Sequence, residues 1–174
     1  MSEIAIRRAE QGDLPALLDI YNHYVLNSAI TFDIEPRTLE QRQVWFDQFS
    51  HSGKYQCFVA TMNGVAVGWA SSSRFKDRAA YDTTVETSIY LSPDATGHGL
   101  GRALYKTLFD GIAGEDIHRL FAGATLPNEA SVRLHEAMGF RLVGVQPEVG
   151  RKFGRFWDVA QFFKDMSPSL HLPR

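Results

Sequence analysis

Thr96-Gly97-His98-Gly99-Leu100-Gly101 follows a strand-like run from Val85 to Leu91 and opens a helical stretch from Arg102 to Ile112. Glycines let a backbone turn tightly and approach a ligand, and successive N–H groups at a helix start, aided by the helix dipole, cradle an anion. Two nucleotide readings of this junction fail on residues. The phosphate loop of nucleoside triphosphatases needs Lys and then Ser or Thr after its last glycine, where this chain has Arg102-Ala103. A dinucleotide fingerprint needs glycine at position 102 and an acidic residue about twenty positions later, where the chain reads Phe121-Ala122-Gly123.

Working outward, Ile4 and Ile6 alternate with polar neighbours as in a strand, and Asp13 is placed to cap a helix carrying Leu14, Leu17, Leu18, Tyr21 and Val25. Thr38, with Gln41 three residues on, forms a capping box for a second helix that sets Val44, Trp45 and Phe49 on one side. Residues 28–36 between them read as a loop. Two β-rich runs, 56–62 and 65–72, flank Asn63-Gly64, a strong hairpin signal. After the glycine loop and its helix come a strand near 120–125, a helix over 128–138, and strands near 140–146 and 155–163. This order predicts an α+β fold: a mixed, mostly antiparallel sheet of about six or seven strands with helices on both faces. The expected domain spans 1–166, with 167–174 as a C-terminal tail.

The 174 residues suffice for one sizeable core, and 44% hydrophobic and 22% charged residues are ordinary for a globular protein. A net charge of -2 argues against nucleic acid as a partner. No basic leader and no long apolar run points to secretion or to a membrane, so a cytoplasmic protein is expected. One cysteine, Cys57, permits no internal disulfide and no cysteine cluster for zinc, and no metal is expected. In Cys57-Phe58-Val59-Ala60 it reads as core rather than as a nucleophile.

On the strand before the loop, Thr84, Glu86, Ser88 and Tyr90 point opposite to Val85, Thr87, Ile89 and Leu91. Glu86 is then a candidate general base if burial raises its pKa; a solvated strand residue is the other reading. On the later helix, Asn128, Ser131 and His135 share a face. Asn128 also suits a helix cap, and His135 suits a packed histidine equally well.

These segments carry a resemblance that spans nearly the whole chain. The strand, the 96–101 loop, and Asn128-Glu129-Ala130-Ser131 through Met138-Gly139-Phe140 resemble the acyl-CoA-binding motifs of the GNAT superfamily of N-acetyltransferases. More narrowly, Thr84-Val85-Glu86-Thr87-Ser88-Ile89-Tyr90, Ala29-Ile30-Thr31-Phe32 and Val149-Gly150-Arg151-Lys152-Phe153-Gly154-Arg155 resemble the phosphinothricin and methionine sulfoximine acetyltransferases. The resemblance implies acetyl-CoA as acetyl donor. Its pyrophosphate would lie on Thr96, Gly97, His98, Gly99, Leu100 and Gly101, with Arg102 nearby. Its pantetheine arm would pair along Ile89, Tyr90 and Leu91, and Asn128 and Ser131 would contact it. The superfamily usually begins this loop with Gln or Arg, where the chain has Thr96. It often has tyrosine at position 135, where the phosphinothricin branch commonly has histidine.

A free amino group is mostly protonated at neutral pH, so acetylating it requires a base, for which Glu86 is the candidate. His135 is the first candidate to protonate the departing thiolate, ahead of Tyr90 and Tyr105, and a backbone N–H near Tyr90 would hold the developing oxyanion. The resemblance implies an acceptor site for a small amino-acid-like substrate made by Phe32, by Arg74, Phe75, Arg78 and Tyr81, and by Thr84, Val85 and Glu86. Direct transfer in a ternary complex is expected because the one thiol, Cys57, lies outside these motifs, and the resemblance implies a homodimer. A peptide N-terminal acetyltransferase, a non-catalytic acetyl-CoA sensor and a purely structural module stay open as alternatives.

Overall fold

The computed structural model describes residues 3–166; the expected tail lies outside the described residues. The chain runs β1 (Ile4–Arg8), α1 (Leu14–Asn27), α2 (Leu39–Phe46), β2 (Cys57–Met62), β3 (Val65–Arg74), β4 (Thr84–Leu91), α3 (Leu100–Ile112), β5 (Arg119–Leu126), α4 (Glu129–Ala137), β6 (Arg141–Lys152) and β7 (Arg155–Asp165). The strands form one mixed sheet in the order β1-β2-β3-β4-β5-β7-β6. Every neighbouring pair is antiparallel except β4 and β5. The expected α+β architecture is what the chain adopts, with seven strands among the described residues.

Side-chain alternation divides the core into two layers. On one face, Phe58, Ala60, Ala70, Val85, Leu120 and Phe162 pack under Leu104, Tyr105, Leu108 and Ile112 of α3. On the other, Cys57, Val59, Ala66 and Trp69 pack under Leu17 and Ile20 of α1, with Trp45 and Phe46 of α2 beside them. The Asn63-Gly64 hairpin forms as read, with both residues at the positive φ (51° and 81°) that a tight two-residue turn requires.

Three local expectations are corrected. Asp13 does not cap α1 with its side chain. Its carboxylate instead accepts from the Glu10 N–H and from both terminal nitrogens of Arg7, which tethers the start of α1 to β1. The Thr38–Gln41 capping box forms, but Val44 of α2 is 73% exposed and Arg42 is the buried residue. Its guanidinium lies 3.3 Å from the Trp45 ring centre and 4.5 Å from that of Trp69. Two of its nitrogens lack hydrogen-bond partners, and burial pulls its pKa down to about 10. The strand expected near 140–146 continues to Lys152. Its alternation is broken by register shifts at Val143 and between Gln146 and Gly150, and the second is a place where an edge strand accommodates Pro147.

Among the described residues no helix is long and apolar enough to cross a membrane.

Candidate active site

β4 and β5 run side by side for only three residue pairs, the last of them Glu86 with Phe121. Beyond that point the strands part, while β5 stays paired to β7 along its whole length. The gap opens a cleft of about 690 Å³ lined by residues 86–91 of β4 and 123–125 of β5. Gly123, bare and exposed in mid-strand, lets a ligand approach the backbone there.

The cleft joins the two faces of the sheet. Ile89 of β4 packs with the α3 layer and Tyr90 with the α1 and α2 layer. Glu86 therefore lies on the face of Tyr90, and Thr87 on the face of α3 and α4.

On the α3 face, Gly99 caps the helix in the left-handed conformation with no side-chain cap. The first N–H bonded back into the helix is that of Ala103, to the Gly99 carbonyl, so the preceding amides of the first turn have no partner within the helix, the arrangement that suits an anion. A Cβ added at Gly97 or Gly99 would meet nothing within 4 Å, so the cradle is open. Thr96, Gly97, Gly99, Gly101 and Arg102 line the cleft, whereas Leu100 is buried in the core and His98 lies outside the lining. The Thr96 hydroxyl donates to the Pro93 carbonyl at 2.9 Å, and its N–H reaches the same oxygen.

Asn128, Ser131 and His135 all reach the cleft from α4. The Asn128 side-chain oxygen accepts from the Ser131 N–H as an N-cap, which leaves its amide nitrogen to donate. His135 is 2% exposed and stacked on Phe162. Its Nδ1 lies 2.7 Å from the Ser131 carbonyl, which can only accept, so Nδ1 carries the proton. Burial lowers its pKa and keeps the ring neutral, so Nε2 accepts the Tyr105 hydroxyl at 2.9 Å. In this pair Tyr105 holds the transferable proton. Tyr90, by contrast, stacks on Trp69 in the opposite layer.

On the other face, burial raises the Glu86 pKa. Tyr24, Ile30 and Phe32 close this side of the cleft. Tyr24 is fixed by donating to the Leu91 carbonyl at 2.6 Å. Tyr21 donates to Asp33 at 2.7 Å and meets the Thr31 hydroxyl at 2.9 Å, while Arg37 grips Asp33 with two nitrogens and holds its carboxyl below the usual range.

The basic segment after β3 is less closely joined to the cleft. Phe75 packs on Phe121, the register partner of Glu86. Arg74 is ion-paired with Asp77, and Arg78 and Tyr81 line a separate depression. Val85 is fully buried in the α3 layer, and Thr84 lies outside the cleft lining. The cleft also takes in Thr125, Arg133 and Val159, which sequence reasoning missed. An isolated glycine in the β5 pattern was the one signal that pointed there. Among the described residues, no group of three or more His, Cys, Asp or Glu side chains could hold a metal ion.

The "Acetyltransferase (GNAT) domain" profile matches residues 6–160. A phosphinothricin N-acetyltransferase of Streptomyces coelicolor is 48% identical over 163 residues, covering 92% of this chain and 95% of that protein. An L-methionine sulfoximine/L-methionine sulfone acetyltransferase of Pseudomonas aeruginosa is 35% identical over 170 residues, covering 97% and 98%. Among solved structures, a phosphinothricin acetyltransferase from Sinorhizobium meliloti in complex with acetyl-CoA superposes with a TM-score of 0.90 at 31% identity, covering 98% of this chain and 92% of that one. A parted pair of parallel strands, a glycine-capped helix beside it and a match over most of the chain agree: the chain belongs to the GNAT acetyltransferases.

Proposed function

We propose that the chain transfers an acetyl group from acetyl-CoA to the amino group of a small amino acid of the phosphinothricin or methionine sulfoximine type, directly within a ternary complex. The observation that carries this reading is the position of Glu86 where β4 and β5 part, on the sheet face opposite the glycine loop. Donor and acceptor then enter from opposite faces and meet in the gap. Acetyl-CoA supplies an activated thioester carbon; the amides of residues 97–102, Arg102, Asn128 and Ser131 hold its polar parts, and the backbone of Ile89, Tyr90 and Leu91 aligns its arm.

Glu86 accepts the proton of the acceptor ammonium, directly or through water, and so frees the nitrogen lone pair for attack. An N–H of β4 near Tyr90 donates to the negative charge that builds on the acyl oxygen. On the far face the Tyr105 O–H turns from His135 Nε2 to protonate the departing thiolate, and the tyrosinate regains a proton through water from the newly acylated nitrogen. Phe32 covers the acceptor.

Screening thiol release from acetyl-CoA against amino acids, phosphinothricin, methionine sulfoximine, polyamines and short peptides tests the reading. Fast release is expected only with amino acids and the two analogues. Release with peptides alone, or acetyl-CoA binding without release, would replace it with the peptide or the sensor reading.

No cysteine intermediate is needed. Cys57 is buried in the α1 layer, and burial pushes its thiol up to about 12. Cys57→Ala is expected to keep its turnover and lose about 1 kcal/mol of stability, as core changes of this size commonly do. Kinetics and thermal melts of the variant check this; inactivity in a folded protein would point to a covalent route.

We also propose a homodimer. The edge strand β6 carries exposed Leu142, Val143, Val145 and Val149, an apolar surface of the kind that strand edges otherwise avoid.

A further inference from the structure

The wall that covers the acceptor end of the cleft is borrowed from the far end of the chain. Ile30 and Phe32 belong to the loop between α1 and α2, yet that loop rests on the β6–β7 hairpin. Lys152, 3% exposed, donates from Nζ to the Thr31 carbonyl at 2.8 Å, across 121 positions of sequence. Two residues earlier in β6, the Phe32 ring lies against the bare backbone of Gly150. A Cβ at that position would stand 2.2 Å from Phe32 Cζ, 2.3 Å from Cε2 and 2.6 Å from Cε1.

Gly150 differs from the turn glycine Gly154, whose φ is +74°. The backbone of Gly150 is outside the left-handed region, so alanine could adopt its conformation. Only the space above it demands glycine. Nor can the loop lift away to make room, because Thr31 is held by Lys152 and Tyr21, and Asp33 by Tyr21 and Arg37. A side chain at position 150 must therefore displace the ring itself.

We infer that Gly150 and Lys152 are positioning residues for acceptor specificity: Lys152 pins the loop, and the missing side chain of Gly150 seats Phe32 against β6, so that together they set the shape of the acceptor end. This role rests on the proposed amino-acid acceptor and adds residues to its site.

Steady-state kinetics with L-methionine sulfoximine test it on the parent chain, Gly150→Ala, Lys152→Met, Phe32→Ala and the two double variants that combine Phe32→Ala with each of the others. Gly150→Ala is expected to raise KM for the acceptor about tenfold or more, the scale on which small misplacements of a positioning group act. Its KM for acetyl-CoA should not move. In the Phe32→Ala background the same change should have less than about a twofold effect, because the coupling between two residues in contact vanishes when one is removed. Lys152→Met, which keeps the buried stem and removes the tether, should raise the same KM and be masked by Phe32→Ala in the same way.

Equal losses in both backgrounds, an unchanged acceptor KM, or a shift in KM for acetyl-CoA would overturn the inference. Should Gly150→Ala fail to fold, the Lys152→Met pair decides by the same comparison. A parent protein that acetylates no amino acid would instead overturn the acceptor reading, and this role with it.

Discussion

Glu86→Gln is expected to lower kcat for acetyl transfer by about 100-fold or more, the span a positioned general base supplies. KM for acetyl-CoA should stay where it is, since the amides proposed to receive the cofactor lie on the other face of the sheet. The pH dependence gives the sharper test. Burial raises the Glu86 pKa, so the ionised, proton-accepting form is lost at a higher pH than for an ordinary carboxylate. The parent rate should climb as pH rises through that raised value, and the variant should lack this limb.

Stability should move the other way. A carboxyl whose folded pKa lies above its unfolded pKa incurs no penalty below the unfolded value and the full penalty above the folded one. Glu86→Gln should therefore melt no lower than the parent at neutral pH. A variant that loses both activity and stability would mean that Glu86 holds the fold rather than the proton.

The second large effect is expected at the glycine loop. Gly99→Val places a β-branched residue at φ +75°, a conformation that costs an ordinary L-residue about 1–2 kcal/mol. No neighbour lies within 4 Å of the new Cβ, so the strain is conformational and the backbone relieves it by turning its amides away from the anion. Since about 1.4 kcal/mol is tenfold in affinity, Kd for acetyl-CoA should rise about tenfold or more by calorimetry. Gly114→Ala, just past α3, has equal room and no positive φ and should change nothing. Equal affinities for the two variants would mean that the loop does not hold the pyrophosphate.

The elements were legible in the sequence wherever local chemistry decides them. The Asn63-Gly64 turn, the Thr38–Gln41 box and the glycine cap of α3 each involve residues within a few positions of one another. The same holds for the shared face of Asn128, Ser131 and His135.

Where sequence reasoning fell short, contacts between different elements decide. Asp13 carries a capping residue type but is claimed by Arg7 on β1, and Arg42 looks solvent-facing until Trp45 and Trp69 enclose it. Periodicity placed β4 and β5 but held no sign that they pair for three residues and then part, which is what makes the cleft. The tautomer of His135 is set by the Ser131 carbonyl, and its Nε2 meets Tyr105 of α3, a partner that the helical spacing of α4 could not name. Gly150 and Lys152 stood in a recognised segment, but their contacts lie more than a hundred residues upstream.

The most direct measurement follows CoA thiol and acetylated product together, by mass spectrometry, across a pH series with the parent protein, acetyl-CoA, and phosphinothricin or L-methionine sulfoximine. The expected result is one thiol per N-acetylated amino acid, at a rate that rises with pH through an inflection above the ordinary carboxylate range. Acetyl-CoA that binds yet releases no thiol with either acceptor, or a rate indifferent to pH, would contradict it.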